Sequence, residues 1–199
     1  MYGLVIAFKD YRPAIGIADS PWVGFKHFRN FFQDVYFWRL IRNTFSISGL
    51  NILFGFPAPI LLALALNEVR HTAFKRTVQT ITYMPYFVSL VVASSLVRTY
   101  TQSAGLVTQI VTMFGGQPEN WLMNTNYFYA IYVISDIWQH IGWNSIIYLA
   151  ALSSIDQEQY EAARIDGAGR FRQMFHITMP GLLPTVMILL ILRMGSVLN

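Results

Sequence analysis

The sequence predicts an all-α polytopic membrane protein. Only 12% of its 199 residues are charged and 54% are hydrophobic, whereas an average soluble domain carries roughly 25% charged residues. The chain also contains long uncharged stretches, and about 20 apolar residues are enough for a helix to cross a bilayer. The composition therefore favours a lipid-facing surface over a large soluble core.

Charge and cysteine content exclude several classes of protein. The net charge is only +4 and is spread along the chain, which argues against a nucleic-acid partner. The absence of cysteine excludes disulfide frameworks and thiolate metal sites. The N-terminal stretch MYGLVIAFKDYRP lacks the basic start and the apolar length of a signal peptide. We expect it to be the outer end of a helix that begins before the chain.

Four stretches have the length and composition of membrane spans. They cover residues 43–67, 77–97, 127–155 and 173–192. The third contains one charge, Asp136, and the membrane part of the fourth is expected to start near Gly181. Pro57 and Pro59 are expected to kink the first span.

The connections between these stretches differ in character. Residues 68–76 (EVRHTAFKR) are short and basic and suit a tight turn between antiparallel helices. Residues 101–126 are long and nearly uncharged, with Trp121 as a possible interfacial anchor. Residues 9–37 carry four aromatic residues that approximate one helical face, namely Trp22, Phe25, Phe28 and Phe32. This pattern fits either a helix in the membrane interface or a loop with aromatic anchors.

The stretch between the third and fourth spans is polar, and its pattern predicts two short helices. Ser153 or Ser154 is expected to cap the first helix, with an acid or amide three residues on completing a capping box. This helix runs to Asp166, and Gly167 is a natural C-terminal stop. A second helix is expected over 168–177, at the membrane surface.

The first of these helices has a low profile on one side. Ala162 and Ala163 allow another backbone or groove to approach closely, while Tyr160 and Ile165 are expected to supply apolar contact. These features fit a helix that docks in a groove of a partner. They fit a surface helix packed on its own bundle equally well, so the physical argument leaves both possibilities open.

The same stretch resembles the EAA motif of bacterial ABC importer permeases. The residues that carry the resemblance are Glu161, Ala162, Ala163, Gly167, Ile177 and Pro180. Every spacing of the extended pattern holds, and the single departure is Met179, which stands where the motif has leucine. A bare EAA triplet would carry no weight, but the extended pattern between two spans is specific.

The resemblance covers nearly the whole chain and is closest to the LplB-type carbohydrate permeases. The stretches that carry it are YGLVIAFKDYRP, NEVRHTAFKRTVQTITYMPYF and LRMGSVLN. It implies that 1–199 is a partial ABC transporter transmembrane domain of the type I importer fold, lacking parts of the first and last spans. It also implies that 153–180 is a cytoplasmic coupling loop. The connection at 68–76 would then be cytoplasmic, and 9–37 and 101–126 would lie outside.

The resemblance further implies a subunit of an oligosaccharide importer in the bacterial cytoplasmic membrane. A helix at about 155–166 would dock in a cytoplasmic ATPase dimer, which binds ATP and Mg²⁺, since this chain has no phosphate-binding GxxxxGK[ST] loop. A second permease subunit and an extracellular solute-binding protein would complete the importer. The residues expected to couple to the ATPase are Tyr160, Glu161, Ala162, Ala163, Asp166, Gly167, Ile177 and Pro180.

Polar and aromatic residues of the third span are candidates for the substrate path. Asp136 lies well inside this span, where a charge should face protein or a water-filled cavity. Aromatic faces beside hydrogen-bonding groups suit a sugar ring. The candidates are Asp136, Trp138, Gln139, Trp143 and Asn144, with Tyr83 and Tyr86 as weaker ones. The same residues could instead hold the span against a partner permease. Arg193 is expected to pair with an acid or to reach outward.

Two rival hypotheses use the same span. An intramembrane enzyme could use Asp136, His140 and Asn144, although these residues do not complete an acid–base or metal constellation. Asp136 and His140 are four residues apart, but two ligands without a third do not make a metal site. We therefore expect neither an enzyme nor a metal centre in this chain.

Overall fold

The computed structural model describes residues 2–196 and is built from helices. Their bounds are α1 Tyr2–Ile6, α2 Gly16–Asp19, α3 Lys26–Gln33, α4 Phe37–Leu50, α5 Pro57–Glu68, α6 Thr72–Tyr83, α7 Leu90–Thr101, α8 Leu106–Met113, α9 Thr125–Ser153, α10 Gln157–Ile165, α11 Arg170–Gln173 and α12 Met179–Gly195. A 3₁₀ turn covers Met84–Phe87, and π-helical turns cover Asn51–Gly55 and Met174–Thr178. The chain divides into two compact units, Met1–Phe45 and Ser46–Asn199.

The first unit is organised by the ring of Phe8. Its centroid lies 6.2 Å from Trp22, 5.4 Å from Phe25 and 5.3 Å from Phe28. Trp22 and Phe25 precede α3, because Gly24 turns the chain there with φ +58°. The expectation that four aromatic residues share one helical face is therefore wrong. Phe32, the fourth of them, packs instead against the neighbouring rings of Phe31 and Phe37.

Two predicted spans are present as long apolar helices. Phe37–Glu68 is a continuous helical segment of 32 residues, and Arg170–Gly195 is one of 26 residues. In the first, the π-helical turn at Asn51–Gly55 directly precedes Pro57, which cannot donate a backbone hydrogen bond. In the second, α11 runs through a π turn into α12. The separate short helix expected at 168–177 is therefore the beginning of the last long helix.

The predicted span at 77–97 is not one straight helix. Thr72–Phe87 and Leu90–Met113 meet at a bend of 102°. Pro85 lies in the 3₁₀ turn, and the side chain of Ser89 caps α7 by accepting a hydrogen bond from the Val92 amide, 3.3 Å away. A new N-cap just beyond a proline starts a new helix, and this explains the break.

Helix α9 is the predicted third span, and it has 29 residues. At 1.5 Å per residue it is about 43 Å long, which exceeds the apolar thickness of a bilayer. Among the described residues, however, two helices are long and apolar enough to cross a membrane, or three if the bent pair is one span. Helix α9 is not one of them, because polar residues interrupt it. By length and composition, the described residues therefore contain two or three apolar spans, fewer than the four expected.

A compact core joins the ends of α5, α9 and α12. Ala63, Tyr148, Leu152, Ile155 and Leu182 are its buried members. The connection between α5 and α6 is only three residues long, as the prediction of a tight turn required. At the far end of α9, Trp121 is part of the fold, because its indole Nε1 donates to Thr108 Oγ1 at 2.8 Å.

Glycine permits a close approach between α6 and α9. A methyl group at Gly142 would overlap the carbonyl group of Thr82. Such contacts between small residues are typical of helix packing in membranes. Gly49 in α4, in contrast, has free space where a methyl group would be placed.

We predict that Gly142→Ala lowers the free energy of unfolding by about 1–3 kcal/mol, the usual cost of overpacking. Gly49→Ala is the matched control and should stabilise α4 by up to about 1 kcal/mol. Thermal unfolding of the full-length protein in detergent, followed by tryptophan fluorescence, measures both. Equal unfolding midpoints for the two variants would contradict the close approach.

Candidate functional site

Helix α10 is a short helix with defined ends. Its N-cap is Asp156, whose Oδ1 accepts a hydrogen bond from the Glu158 amide at 2.9 Å. The expectation of a serine cap is therefore wrong. Ser153 and Ser154 instead donate hydrogen bonds back to carbonyl groups at the end of α9, a bond that serine side chains readily form within a helix.

The C-terminus of α10 is closed by Gly167, as predicted. Gly167 has φ +76°, a left-handed conformation that favours glycine. The amide of Ala168 donates to the Ala163 carbonyl at 2.8 Å, and the Gly167 amide donates to Arg164 at 3.0 Å. This pair of bonds is a Schellman motif. It stops the helix and turns the chain toward α11.

One side of α10 packs on the helices that precede and follow it. Tyr160 is half-buried beside the core, and its hydroxyl lies 2.9 Å from the hydroxyl of Thr178, which is 3% exposed. Ile177 packs against the same core. Just before α10, Ile155 fills the space beside Gly181, where a methyl group would lie 2.8 Å from its Cδ1 atom.

The opposite side of α10 faces away from the protein. Glu161, Ala162 and Ile165 are exposed, and Ile165 is 87% exposed. Tyr160 and Ile165 therefore lie on different sides of the helix, so that of these two residues only Ile165 is exposed for apolar contact with a partner. Five residues advance a helix by about 140°, so the helical period alone could have shown this.

Most of the remaining predicted coupling residues are also exposed. Asp166, Gly167 and Pro180 are exposed, while Ala163 is half-buried. Phe171, which sequence reasoning did not select, is 80% exposed just beyond the turn. A large exposed apolar side chain is typical of a contact surface.

A cleft of about 460 Å³ lies beside α10. Its lining includes Glu68 at the end of α5, Arg70 from the connection that follows, and Tyr160, Arg164 and Arg170 from α10 and α11. The connection at 68–76 and the stretch 153–180 therefore lie at the same end of the helices. This agrees with the prediction that both are on one side of the membrane.

A larger cavity of about 480 Å³ lies along α9. Three of the predicted substrate-path residues, Asp136, Trp143 and Asn144, line it together. Tyr86 from the bend also reaches it, and its ring stacks on Trp143 with 4.5 Å between centroids and an interplanar angle of 4°. Tyr86 was a weaker candidate in the sequence, and its contact depends on a bend that the sequence did not reveal.

The carboxylate of Asp136 lies near two basic side chains. Its Oδ1 lies 3.1 Å from His140 Nδ1, and its Oδ2 lies 3.9 Å from Arg193 Nη2. Arg193 thus lies near an acid, one of its two expected arrangements. Among residues 2–196, no group of three potential ligands could hold a metal ion.

The other predicted path residues lie elsewhere. Trp138 and Gln139 line a separate cavity of about 220 Å³ beside α7. Gln139 is 8% exposed, and its Nε2 donates to the Val88 carbonyl at 3.0 Å. It therefore satisfies the backbone at the bend, where the helical hydrogen bonds are interrupted. Tyr83 is the last residue of α6, before the bend.

Comparison with known proteins decides the family. Residues 55–199 match the family described as binding-protein-dependent transport system inner membrane component. The chain belongs to this family. It is thus a component of the inner membrane, and the family consists of transport components rather than enzymes. This removes the intramembrane enzyme hypothesis for Asp136, His140 and Asn144.

Individual relatives agree with the family. Protein LplB of Bacillus subtilis is 47% identical over all of this chain and 63% of its own length. The polygalacturonan/rhamnogalacturonan transport system permease protein YteP of the same organism is also 47% identical, over all of this chain and 62% of its own length. The chain therefore spans less than two thirds of these relatives.

Solved structures of related importers share the fold. A bacterial ABC transporter involved in the import of the acidic polysaccharide alginate matches with a TM-score of 0.90 and 43% identity, over 98% of this chain and 65% of that one. A bacterial alginate ABC transporter in complex with an alginate pentasaccharide-bound periplasmic protein matches with a TM-score of 0.85 and 44% identity, over 88% and 61%. The fold is thus that of an ABC importer transmembrane domain.

We predict that Gly167→Ala frays the C-terminal end of α10, because a left-handed conformation costs about 1–2 kcal/mol in any residue with a Cβ atom. Gly169→Ala is the matched control, since Gly169 has φ −68° and free space around it. Amide hydrogen exchange of α10 in the full-length protein should be faster only in Gly167→Ala. Equal exchange in both variants would contradict the role of the turn.

Proposed function

We propose that this chain is part of a permease subunit that imports oligosaccharides by ATP-driven transport across the bacterial cytoplasmic membrane. The observation that carries the proposal is the outward face of α10. Glu161 and Ala162 of the EAA pattern are exposed on a helix whose other side is fixed to the protein. A low, exposed helical face is suited to a groove of a separate ATPase.

The packing of α10 supports a route for mechanical coupling. The Tyr160–Thr178 contact joins α10 to the start of the last long helix. The Ile155–Gly181 contact joins the short connection between α9 and α10 to α12. A displacement of α10 by an ATPase would therefore move α9 and α12 together, and both helices line the 480 Å³ cavity. Tight packing makes such movements discrete rather than gradual.

The same cavity is the proposed substrate path. Asp136, Trp143 and Asn144 supply charge, an aromatic face and an amide within one space. Sugar rings stack on aromatic faces and hydrogen-bond through their hydroxyl groups, which suits this lining. The named functions of YteP and of the alginate importers are consistent with an oligosaccharide substrate. Trp138, Gln139 and Tyr83 remain candidates at other positions of the path.

The proposed importer contains further subunits. A second permease would complete the path through the bilayer, and an ATPase dimer would bind ATP and Mg²⁺. A solute-binding protein would deliver the sugar from outside. The second alginate transporter structure, which contains a pentasaccharide-bound periplasmic protein, is consistent with such a partner.

The test is recovery of the ATPase with the tagged full-length protein from membranes of its host. We predict that Glu161→Lys reduces this recovery by about tenfold or more, because an unpaired charge in an interface costs about 2–5 kcal/mol. Gln159→Lys is the matched control, since it adds positive charge to the same helix at a flank of the exposed face.

Two results would contradict the proposal in different ways. Equal recovery of the ATPase in Glu161→Lys and in the control would exclude this face of α10 as the docking surface. Recovery of no ATPase with the wild-type protein would contradict the transport function itself.

A further inference from the structure

Asn51 places a carboxamide inside Phe37–Glu68, a helix that is long and apolar enough to cross a membrane. The residue is 9% exposed, and within residues 2–196 its Oδ1 atom accepts no hydrogen bond. Buried polar atoms are nearly always hydrogen-bonded, because an unpaired one costs free energy. Since the protein encloses this atom, a segment beyond the described residues cannot reach it without displacing the packing around it.

The backbone of the π-helical turn holds the oxygen in this position. Asn51 begins the turn, and its carbonyl group accepts a hydrogen bond from the Phe56 amide at 2.9 Å. A methyl group at Gly55 would overlap the Asn51 Oδ1 atom, and it would lie 3.9 Å from Ile137 of α9. The oxygen therefore rests against its own turn, in space that only glycine leaves open. π turns are rare and occur frequently at functional sites.

The turn also borders two cavities. Asn51 lines a cavity of about 270 Å³ together with Tyr132 and Asp136, which are one helical turn apart in α9. Gly55, at the other end of the turn, lines the 480 Å³ cavity. A change in the geometry of the turn would therefore alter both spaces. The 270 Å³ cavity separates a carboxamide whose oxygen is unpaired from a tyrosine whose hydroxyl group can donate a hydrogen bond.

We propose that Asn51 is a positioning residue of the transport cycle. Its oxygen is unpaired in this conformation, and it accepts a hydrogen bond from the Tyr132 hydroxyl in a second conformation, in which the 270 Å³ cavity is closed. The inference rests on the proposed transport function and adds to it a switch within the first long helix.

The two arrangements of Asn51 bring the two conformations closer in free energy. The unpaired oxygen raises the free energy of the open arrangement, and the hydrogen bond lowers that of the closed one. An apolar side chain at this position would remove both effects and leave the protein longer in the open arrangement, because the populations follow the difference in free energy. A buried group that is costly in one conformation and used in another is a recognised form of functional strain.

The experiment measures stability and cycling separately. Thermal unfolding of the full-length protein in detergent gives the first. ATP hydrolysis by the complete complex, reconstituted in lipid nanodiscs and assayed against MgATP concentration, gives kcat and KM for the second. Asn51→Leu keeps the branching of the carboxamide without its polar atoms, and Asn51→Ala avoids overpacking.

We expect neither variant to lower the unfolding midpoint and at least one to raise it by about 2 °C or more, because the unpaired oxygen is gone. Both should lower kcat severalfold and leave KM for ATP unchanged, since ATP binds to another subunit.

Tyr132→Phe should lower kcat similarly without changing the midpoint. The double variant Asn51→Ala/Tyr132→Phe should be no slower than the single ones, because both remove the same bond. Asn126→Ala and Tyr127→Phe remove the same groups from exposed positions of α9 and should retain the wild-type kcat.

Four results would overturn the proposal. A lower midpoint for both Asn51 variants would show that the oxygen is paired in the folded protein. An unchanged kcat in the Asn51 variants would remove its role in the cycle, and an unchanged kcat in Tyr132→Phe would remove the donor. A double variant much slower than either single one would show that the two side chains act separately. Absence of any ATPase from the wild-type complex would contradict the proposed transport function instead.

Discussion

The contact between Ile155 and Gly181 fixes the start of α10 against the first turn of α12. Ile155 is the last buried residue before α10, and its side chain occupies the space that the missing Cβ of Gly181 leaves open. Tyr148, Leu152 and Leu182 close around it. The end of α9, the start of α10 and the first turn of α12 therefore meet at one packed point. A helix of only nine residues could not keep a fixed position on its own, because isolated short helices are marginal.

A second set of contacts fixes the cavity at the middle of α9. The bend of 102° between the two halves of the second predicted span frees backbone groups that a membrane cannot hydrate. Gln139 satisfies one of them at Val88, and Gly142 lets the chain approach at Thr82. The bend brings Tyr86 onto Trp143. The polar residues that keep α9 from being an apolar span are thus those that shape and line the cavity.

The sequence predicted the features that depend on local chemistry. Gly167, a residue of the extended EAA pattern, ends α10 because only glycine takes its conformation easily. The family assignment followed from the same residues. Asp136 was selected because a charge inside a span should face protein or a water-filled cavity. Trp143 was selected because an aromatic face beside hydrogen-bonding groups suits a sugar ring.

Other features depended on distant parts of the chain. Several residues near Asp156 could have capped α10. Asp156 is the cap because α9 continues to Ser153, and Leu152 and Ile155 are buried in the core. Gln139 has the same sequence signal as a sugar-binding amide, yet its partner is a backbone carbonyl at Val88, far away in the chain.

The central claim is that packing at Ile155 transmits movement of α10 to the cavity. It is tested most directly by the number of oligosaccharide molecules imported per ATP hydrolysed by the reconstituted full-length complex. We expect Ile155→Ala to lower this ratio severalfold while the ATPase stays bound and active, because α10 would lose its fixed contact with α12. Ile188→Ala makes the same chemical change at an exposed position of α12 and should leave the ratio unchanged. An unchanged ratio in Ile155→Ala would contradict the account.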